Sequence, residues 1–313
     1  MKKKALPVLA LTLIMLLCAA CGSRQFTVID GDSCREVTLA GGESIAGPAL
    51  IYTLDGDVFY AEDYRPDREL TGAILDPPGL TQMDVYELTK KVFDKEGRAL
   101  LIYIDGLGWD RFQQAVDDGD LPVLSTLSAA RAAAMYPTIT PVNYAAMVTG
   151  RPPAVNGVNA RGIHDLSCPS IFTYCSEQGL TSYAAEGDIR IIAFPETELE
   201  LNPDLNGDGT GDDEILDCAL AAVNDHDFVF VHFHSLDDTE HEFGPGSRQA
   251  REALIKIDSW CGQLLAVWDG PVVVASDHGQ HDNDGSGDAA YADRSGTHGD
   301  FRPSDIFVPI LIR

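Results

Sequence analysis

The sequence predicts a three-layer α/β/α sandwich preceded by a small β-rich extension, and three observations carry that prediction. Long apolar runs end abruptly in carboxylates or imidazoles: "ALLIYIDG" from Ala99, "DFVFVHFHSLDD" from Asp227 and "PVVVASDHG" from Pro271. Helical stretches such as "DDEILDCALAAV" and "SRQAREALIKIDSWCGQLLAVW" lie between them. Upstream of residue 96 the pattern changes to short segments punctuated by Gly and Asp turns.

Taken in order, the chain opens with "MKKKALPVLALTLIMLLCAACGS". Three lysines, a short apolar run and a small-residue end read as an export signal rather than a membrane span. The "LCAAC-G" ending resembles a bacterial lipoprotein signal. It implies a signal over residues 1–20 and a lipid on Cys21 that anchors the chain to the outer face of a bacterial membrane. Cys18 stands where Leu is usual, so a plain secretory signal is the alternative.

Residues 21–95 read as the β-rich extension and linker. "QFTVIDGD", "CREVTLAGG" and "ALIYTLDGDVFYAED" are short strands, "LDPPGLTQ" a linker and "MDVYELTKKVFDKEG" a first helix. Residues 96–313 form the sandwich, closing with "DIFVPILIR". Continuous apolar runs fit parallel strands covered on both faces, with the active site beyond their carboxyl ends.

Of 313 residues, 45% are hydrophobic and 23% charged, the balance of a globular chain. A net charge of −27 excludes binding to a nucleic-acid duplex through its phosphates. It does not exclude a small phosphorylated substrate, because cations in a site reverse the local sign. Beyond Cys18 of the signal and Cys21, five cysteines remain, Cys34, Cys168, Cys175, Cys218 and Cys261, and these lack the CxxC spacing of zinc-thiolate sites. Cys168 and Cys175 could pair in an oxidising exterior, but spacing alone does not establish it, and they read as free or buried thiols.

The strand ends carry the chemistry. Asp105 follows "LLIYI", Asp237 and His241 lie in "DDTEHEFGP", Asp277 and His278 follow "PVVVAS", and His298 lies in "GTHGD". Three carboxylates and three imidazoles suit zinc or a similar divalent metal. Six such ligands are enough for two ions, which together can clamp an in-line displacement at phosphorus. His232 and His234 alternate in "VHFHS" and read as buried or supporting histidines.

Asp105, "PTITPVNYAAMVTGRPP", D-x3-H-x2-GP, SDHG and GTHG stand in the order seen in the alkaline phosphatase superfamily. They are most similar to its type I phosphodiesterase/nucleotide pyrophosphatase branch, over residues 99–313. The resemblance implies an alkaline phosphatase-like fold, two divalent ions (zinc) and a Thr nucleophile at a helix start. Carried over, Thr140 attacks phosphorus, with Thr138 the alternative, and Asn143 is the matching Asn of the motif. One ion is held by Asp237, His241 and His298. The other is held by Asp105, Asp277, His278 and Thr140. Asp238 is a second choice for Asp237, which the D-x3-H spacing prefers. In nucleotide-processing relatives an Asn past the nucleophile holds a phosphoryl oxygen. That register gives Arg161, with Asn159 two residues earlier, so Asn143, Asn159 and Arg161 are the substrate-binding candidates. An Arg there favours substrates with a terminal phosphate dianion. Gln280 and His281 have no counterpart as ligands, and the motif reads as ending at Gly279.

The expectation is an exported hydrolase of phosphodiesters or pyrophosphates. Phosphomonoesterase, phosphonate hydrolase and phosphotransferase are the alternatives on the same machinery, and a surface binding protein on a degenerate scaffold is the non-enzyme alternative. No Cys or Ser occupies the nucleophile register, which argues against a sulfatase. Separately, "DLNGDGTGDDE" matches the start of an EF-hand loop through Asp204, Asn206, Asp208, Gly209 and Asp212. Ile215 stands where the bidentate carboxylate belongs, and an acidic helix cap is the plainer reading.

Overall fold

The structure, a computed structural model, describes residues 23–186, 190–201 and 204–313. The signal segment and Cys21 lie outside the described residues. The chain divides into two compact units, between Pro77 and Pro78.

The first unit is a five-stranded sheet of β1 (Arg24–Asp30), β2 (Ser33–Leu39), β3 (Ile45–Thr53), β4 (Val58–Tyr64) and β5 (Leu70–Leu75), in the order β2-β1-β5-β3-β4. Phe26, Val28, Ile51 and Ala73 fill its core. On β4, Phe59 and Ala61 pack half-buried against this core while Tyr60 and Glu62 between them are exposed, the alternation of a sheet covered on one side.

The second unit begins with β6 (Leu80–Thr81) and helix α1 (Asp84–Glu96), which packs on the segments that follow. Gly97 at φ +72° ends α1 in the left-handed conformation that glycine tolerates best. An eight-stranded sheet runs β10-β9-β11-β7-β12-β15-β8-β6. Its other members are β7 (Ala99–Ile104), β8 (Ser128–Ala133), β9 (Ser182–Glu186), β10 (Glu198–Leu201), β11 (Phe228–Phe233), β12 (Val272–Ala275) and β15 (Phe307–Ile312). A two-residue ladder, β13 (His281–Asp282) with β14 (Gly296–Thr297), stands apart from this sheet. Every residue of β7 and β11 is buried, as a strand sandwiched between helical layers requires. Each fully buried Leu, Ile or Phe there contributes about 1.5–3 kcal/mol.

β11, β7 and β12 are parallel, as their apolar runs predicted, and β9, which no such run announced, is parallel to β11. The closing run is different: β15 is antiparallel to both β12 and β8. A central strand is buried on both faces in either direction, so apolar continuity does not report direction. Because β8 opposes β15 and β15 opposes β12, β8 runs with β12. Its exit, leading to Thr140, therefore emerges at the same sheet edge as Asp105, His234 and Asp277.

The helices are α2 (Trp109–Asp117), α3 (Thr140–Thr149), α4 (Pro153–Asn156), α5 (Ile171–Glu177), α6 (Asp212–Ala222), α7 (Ser235–Phe243), α8 (Arg248–Val267) and α9 (Pro303–Ile306). No helix among the described residues is long and apolar enough to cross a membrane. Cys168 and Cys175 are both free thiols.

Candidate active site

Five chain segments meet at the carboxyl edge of β7 and its neighbours. Asp105 is the first residue past β7, and its N–H donates to the Phe233 carbonyl, tying the ends of β7 and β11 together. His234 follows β11 directly, and α7 then presents Asp237 and His241 one turn apart. Ser276, Asp277 and His278 follow β12, and Gly106 N–H donates to Asp277 Oδ1 at 3.1 Å. Thr140 opens α3, and His298 arrives on the loop after β14. Gly279 is the one residue that this packing admits after His278. A Cβ there would lie 2.1 Å from the Ser304 carbonyl oxygen and 2.7 Å from Gly108 Cα.

All seven residues expected at the centre are brought together, and all are buried. His241 Nε2 lies 3.3 Å from Asp237 Oδ2, and His298 Nε2 lies 3.8 Å from Asp237 Oδ1. His278 Nε2 lies 3.1 Å from Asp277 Oδ2, 3.6 Å from Asp105 Oδ1 and 3.4 Å from Thr140 Oγ1. The imidazoles are oriented from behind. Nδ1 donates to the Gly296 carbonyl from His241 (2.9 Å), to Thr138 from His298 (2.7 Å) and to Gly279 from His278 (3.2 Å). Each ring therefore turns a lone pair on Nε2 into the site, the tautomer a metal ligand needs.

The electrostatics demand cations. Burial, with Asp277 and Asp237 adding to it, raises Asp105 well above the carboxylate range, and burial with Asp237 pushes Asp277 up to about 6. Burial holds His278 down to about 4 and His298 to about 3, so both rings are neutral at pH 7. Asp105 Oδ1, Asp237 Oδ2, Asp277 Oδ2, His241 Nε2 and His298 Nε2 are buried with no hydrogen-bond partner among the protein's own groups. Buried polar atoms are costly when unmet. Here they converge, and three groups that join these residues with His278 or His234 bring their donor atoms within 4.8 Å of one another: Asp237, His278 and His298; Asp105, Asp277 and His278; Asp105, His234 and Asp237. The residues present fit divalent metal ions.

The substrate-side expectations fare unevenly. Asn143 does not face the site. Its Oδ1 accepts from Met135 N–H at 2.6 Å and its Nδ2 reaches the carbonyls of Met135, Pro137 and Ile139. The side chain folds the segment before Thr140 and has no surface left for a substrate. Thr138, the alternative nucleophile, donates to the Asp300 carbonyl and accepts from Gly299 N–H, so its hydroxyl pins the His298 loop. Asn159 is exposed. Arg161 donates through Nε and Nη2 to Asp288 Oδ2 at 2.9 and 2.6 Å, and lies 5.0 Å from the centroid of Tyr291. Tyr291 in turn stacks on His241, with ring centroids 3.4 Å apart.

Three supporting residues, Gln280, Asp288 and Tyr291, were not legible as site members, while His232 takes the buried, supporting place read for it. Gln280 donates through Nε2 to Asp237 Oδ1 at 2.6 Å and to its carbonyl at 3.1 Å, so the site continues one residue past Gly279. Its adjacency to SDHG was the only available signal. His232 places Nε2 3.1 Å from Asp105 Oδ2 while its ring stacks on Tyr103. Asp288 caps and Tyr291 ends a single 3-10 turn, Ala289–Tyr291, too short for a periodicity that would reveal them.

In the acidic loop, Asp204 accepts from the N–H groups of Gly207 and Gly209, and Asp208 from Thr210. Asp212 is turned out of the loop: its two oxygens accept from the N–H groups of His234 and Ser235. It braces α6 against the start of α7, and the ninth calcium-loop position is thereby withdrawn.

Residues 99–180 and 177–296 match the model of the type I phosphodiesterase/nucleotide pyrophosphatase family. The chain belongs to this family. Its place in the alkaline phosphatase superfamily agrees with the sheet described above. The fold is similar to that of human ectonucleotide pyrophosphatase/phosphodiesterase 5, with TM-score 0.53 and 14% identity over 69% of this chain and 87% of that one. The mouse form gives TM-score 0.47 and 20% identity over 59% of this chain and 58% of that one. Phosphonoacetate hydrolase from Sinorhizobium meliloti gives 0.48 and 16% over 59% and 57%. The chain thus spans less than two thirds of the mouse and bacterial proteins. Comparison with curated protein sequences gives no match.

Proposed function

We propose that this family member is a two-metal phosphohydrolase that cleaves phosphodiester or pyrophosphate bonds through Thr140. One observation carries the reading: three anchored imidazoles turn unpartnered or hydroxyl-facing nitrogens toward three buried carboxylates and Thr140. Asp237, His241 and His298 would hold one ion, and Asp105, Asp277, His278 and Thr140 the other. Two divalent ions, zinc by donor type, would supply the Lewis acidity that lowers the hydroxyl pKa and offsets charge developing at phosphorus.

The chain's own residues do the rest. Thr140 Oγ1 is fixed at the first turn of α3, whose free N–H groups favour a phosphoryl oxygen there. Asn143 holds the segment that presents Thr140, and Thr138 holds the loop carrying His298. Attack forms the Oγ1–P bond as the leaving-group P–O bond breaks, and water then cleaves the phosphothreonine. Gln280 keeps Asp237 from rotating, and His232 does the same for Asp105.

A second reading is favoured by Arg161. Its guanidinium is braced by Asp288 beside the Tyr291–His241 stack, where it suits a terminal phosphate dianion and hence a monoester. Paired chromogenic mono- and diesters, assayed with the native chain, Thr140→Ala, Thr138→Ala and Arg161→Met, separate the two. The diester reading expects turnover abolished by Thr140→Ala, only weakened by Thr138→Ala and kept by Arg161→Met, and mass spectrometry should find phosphate on Thr140. A monoester preference abolished by Arg161→Met supports the second. No chelator-sensitive turnover of either substrate sinks both, and leaves a binding protein on this scaffold. Export and lipid attachment at Cys21 belong to the same proposal on the sequence alone. Fractionation of cells expressing Cys21→Ser, with the protein still in the membrane fraction, would reject them.

A further inference from the structure

Among the histidines that fall in a candidate metal group, His234 is the one that the two-ion assignment leaves without a task. Its Nδ1 pairs with Asp238 Oδ2 at 3.1 Å. A carboxylate only accepts, so Nδ1 carries the hydrogen and Nε2 is left to face inward. That is the orientation of His241, His278 and His298, each anchored through Nδ1. His232 is the opposite case, since its Nε2 is the atom that meets Asp105.

The inward Nε2 of His234 lies 3.5 Å from Asp105 Oδ2 and 3.9 Å from Asp237 Oδ2. An N–H···O hydrogen bond spans about 2.7–3.2 Å. Donors sharing one cation at bond lengths of about 2.1 Å stand roughly 3–3.6 Å apart. The spacings around His234 fall outside the first range and near the second, as do those of His241 and His298 to Asp237. Asp237 Oδ2 is buried and unpartnered, and it looks toward His234 as well as His241.

We infer that Asp105, Asp237 and His234 form a third cation position beside the two already assigned. The inference rests on the two-ion reading, because it shares Asp105 and Asp237 with it. The donor set is two carboxylate oxygens and one imidazole, and the His234 side chain is 29% exposed. Water can therefore complete the shell, which favours a harder, hydrated ion such as Mn²⁺ or Mg²⁺ over zinc.

The test uses the full chain, stripped with chelator, reloaded with zinc, and then dialysed against Mn²⁺. Metal analysis counts both ions, and electron paramagnetic resonance reads free against bound Mn²⁺. The native protein should hold two zinc ions and one Mn²⁺. His234→Ala should keep both zinc ions and lose the Mn²⁺, and His234→Asp, whose carboxylate supplies a donor in place of the imidazole, should recover it. Two zinc ions with no Mn²⁺ in the native protein, or Mn²⁺ retained by His234→Ala, would overturn the third position alone. Loss of a zinc ion in His234→Ala would make His234 a ligand of the pair, again overturning it. Fewer than two zinc ions in the native protein would instead reject the two-ion reading beneath it.

Discussion

Replacing Gln280 with Leu removes one amide and little volume, and it tests whether Asp237 must be held to work. The Nε2 donor meets Asp237 Oδ1 at 2.6 Å in a buried setting, a hydrogen bond to an ionised group. Such bonds contribute about 1.5–3 kcal/mol, and loss of an outer partner of a metal-ligating group weakens binding about 10–100-fold. The structure adds a reason for the upper half of that range. With Oδ1 engaged, Oδ2 is the oxygen left facing His241, and without Gln280 the carboxylate can rotate out of register. Chelator competition on the zinc-loaded protein should show affinity falling by tenfold or more for one ion, with the other unaffected. Equal affinity in a folded Gln280→Leu protein would refute the reasoning and return Gln280 to ordinary packing.

Glu186 gives a pH prediction. Burial pushes its carboxyl up to about 7, and it is hydrogen-bonded by Tyr144. A raised folded-state pKa contributes stability below the unfolded value near 4.3, and that stability is lost as pH rises through about 7. The loss is on the order of 3 kcal/mol, so denaturant melts of Glu186→Gln should vary much less than the native chain between pH 4.5 and 7.5. Gly279→Ala forces a Cβ against Ser304 and Gly108 and should cost about 1–3 kcal/mol or more. An unchanged melting temperature would contradict that packing. Chelation should lower the melting temperature and zinc restore it, since ligand at 100 times its dissociation constant adds about 2.7 kcal/mol.

The strand-end residues were readable because polarity changes abruptly there: "LLIYI" gives way to Asp105 and "PVVVA" to Ser276, Asp277 and His278. Parallel neighbours then bring those ends together without further information. Three things were not readable. The direction of β15 is hidden because burial on both faces looks the same either way. Asn143 carries a motif's identity while its amide is directed at backbone, and sequence does not say where a side chain points. Gln280, Asp288 and Tyr291 act through a few side-chain contacts outside any long helix or strand, which leave no periodic trace.

The position of β15 has a consequence for the order of assembly. Residues 307–312 lie between β12, which leads to Asp277 and His278, and β8, which leads to Thr140. The hydrogen-bonded ladder between Thr140's side of the sheet and the side bearing Asp105, Asp237 and Asp277 therefore runs through the last strand described. A ribosome that has delivered residue 300 has made every candidate ligand and still cannot complete that sheet. Partially synthesised chains should therefore gather the carboxylates of Asp105, Asp237 and Asp277 first, with Thr140 joining them only once residues 307–312 pair with both β12 and β8.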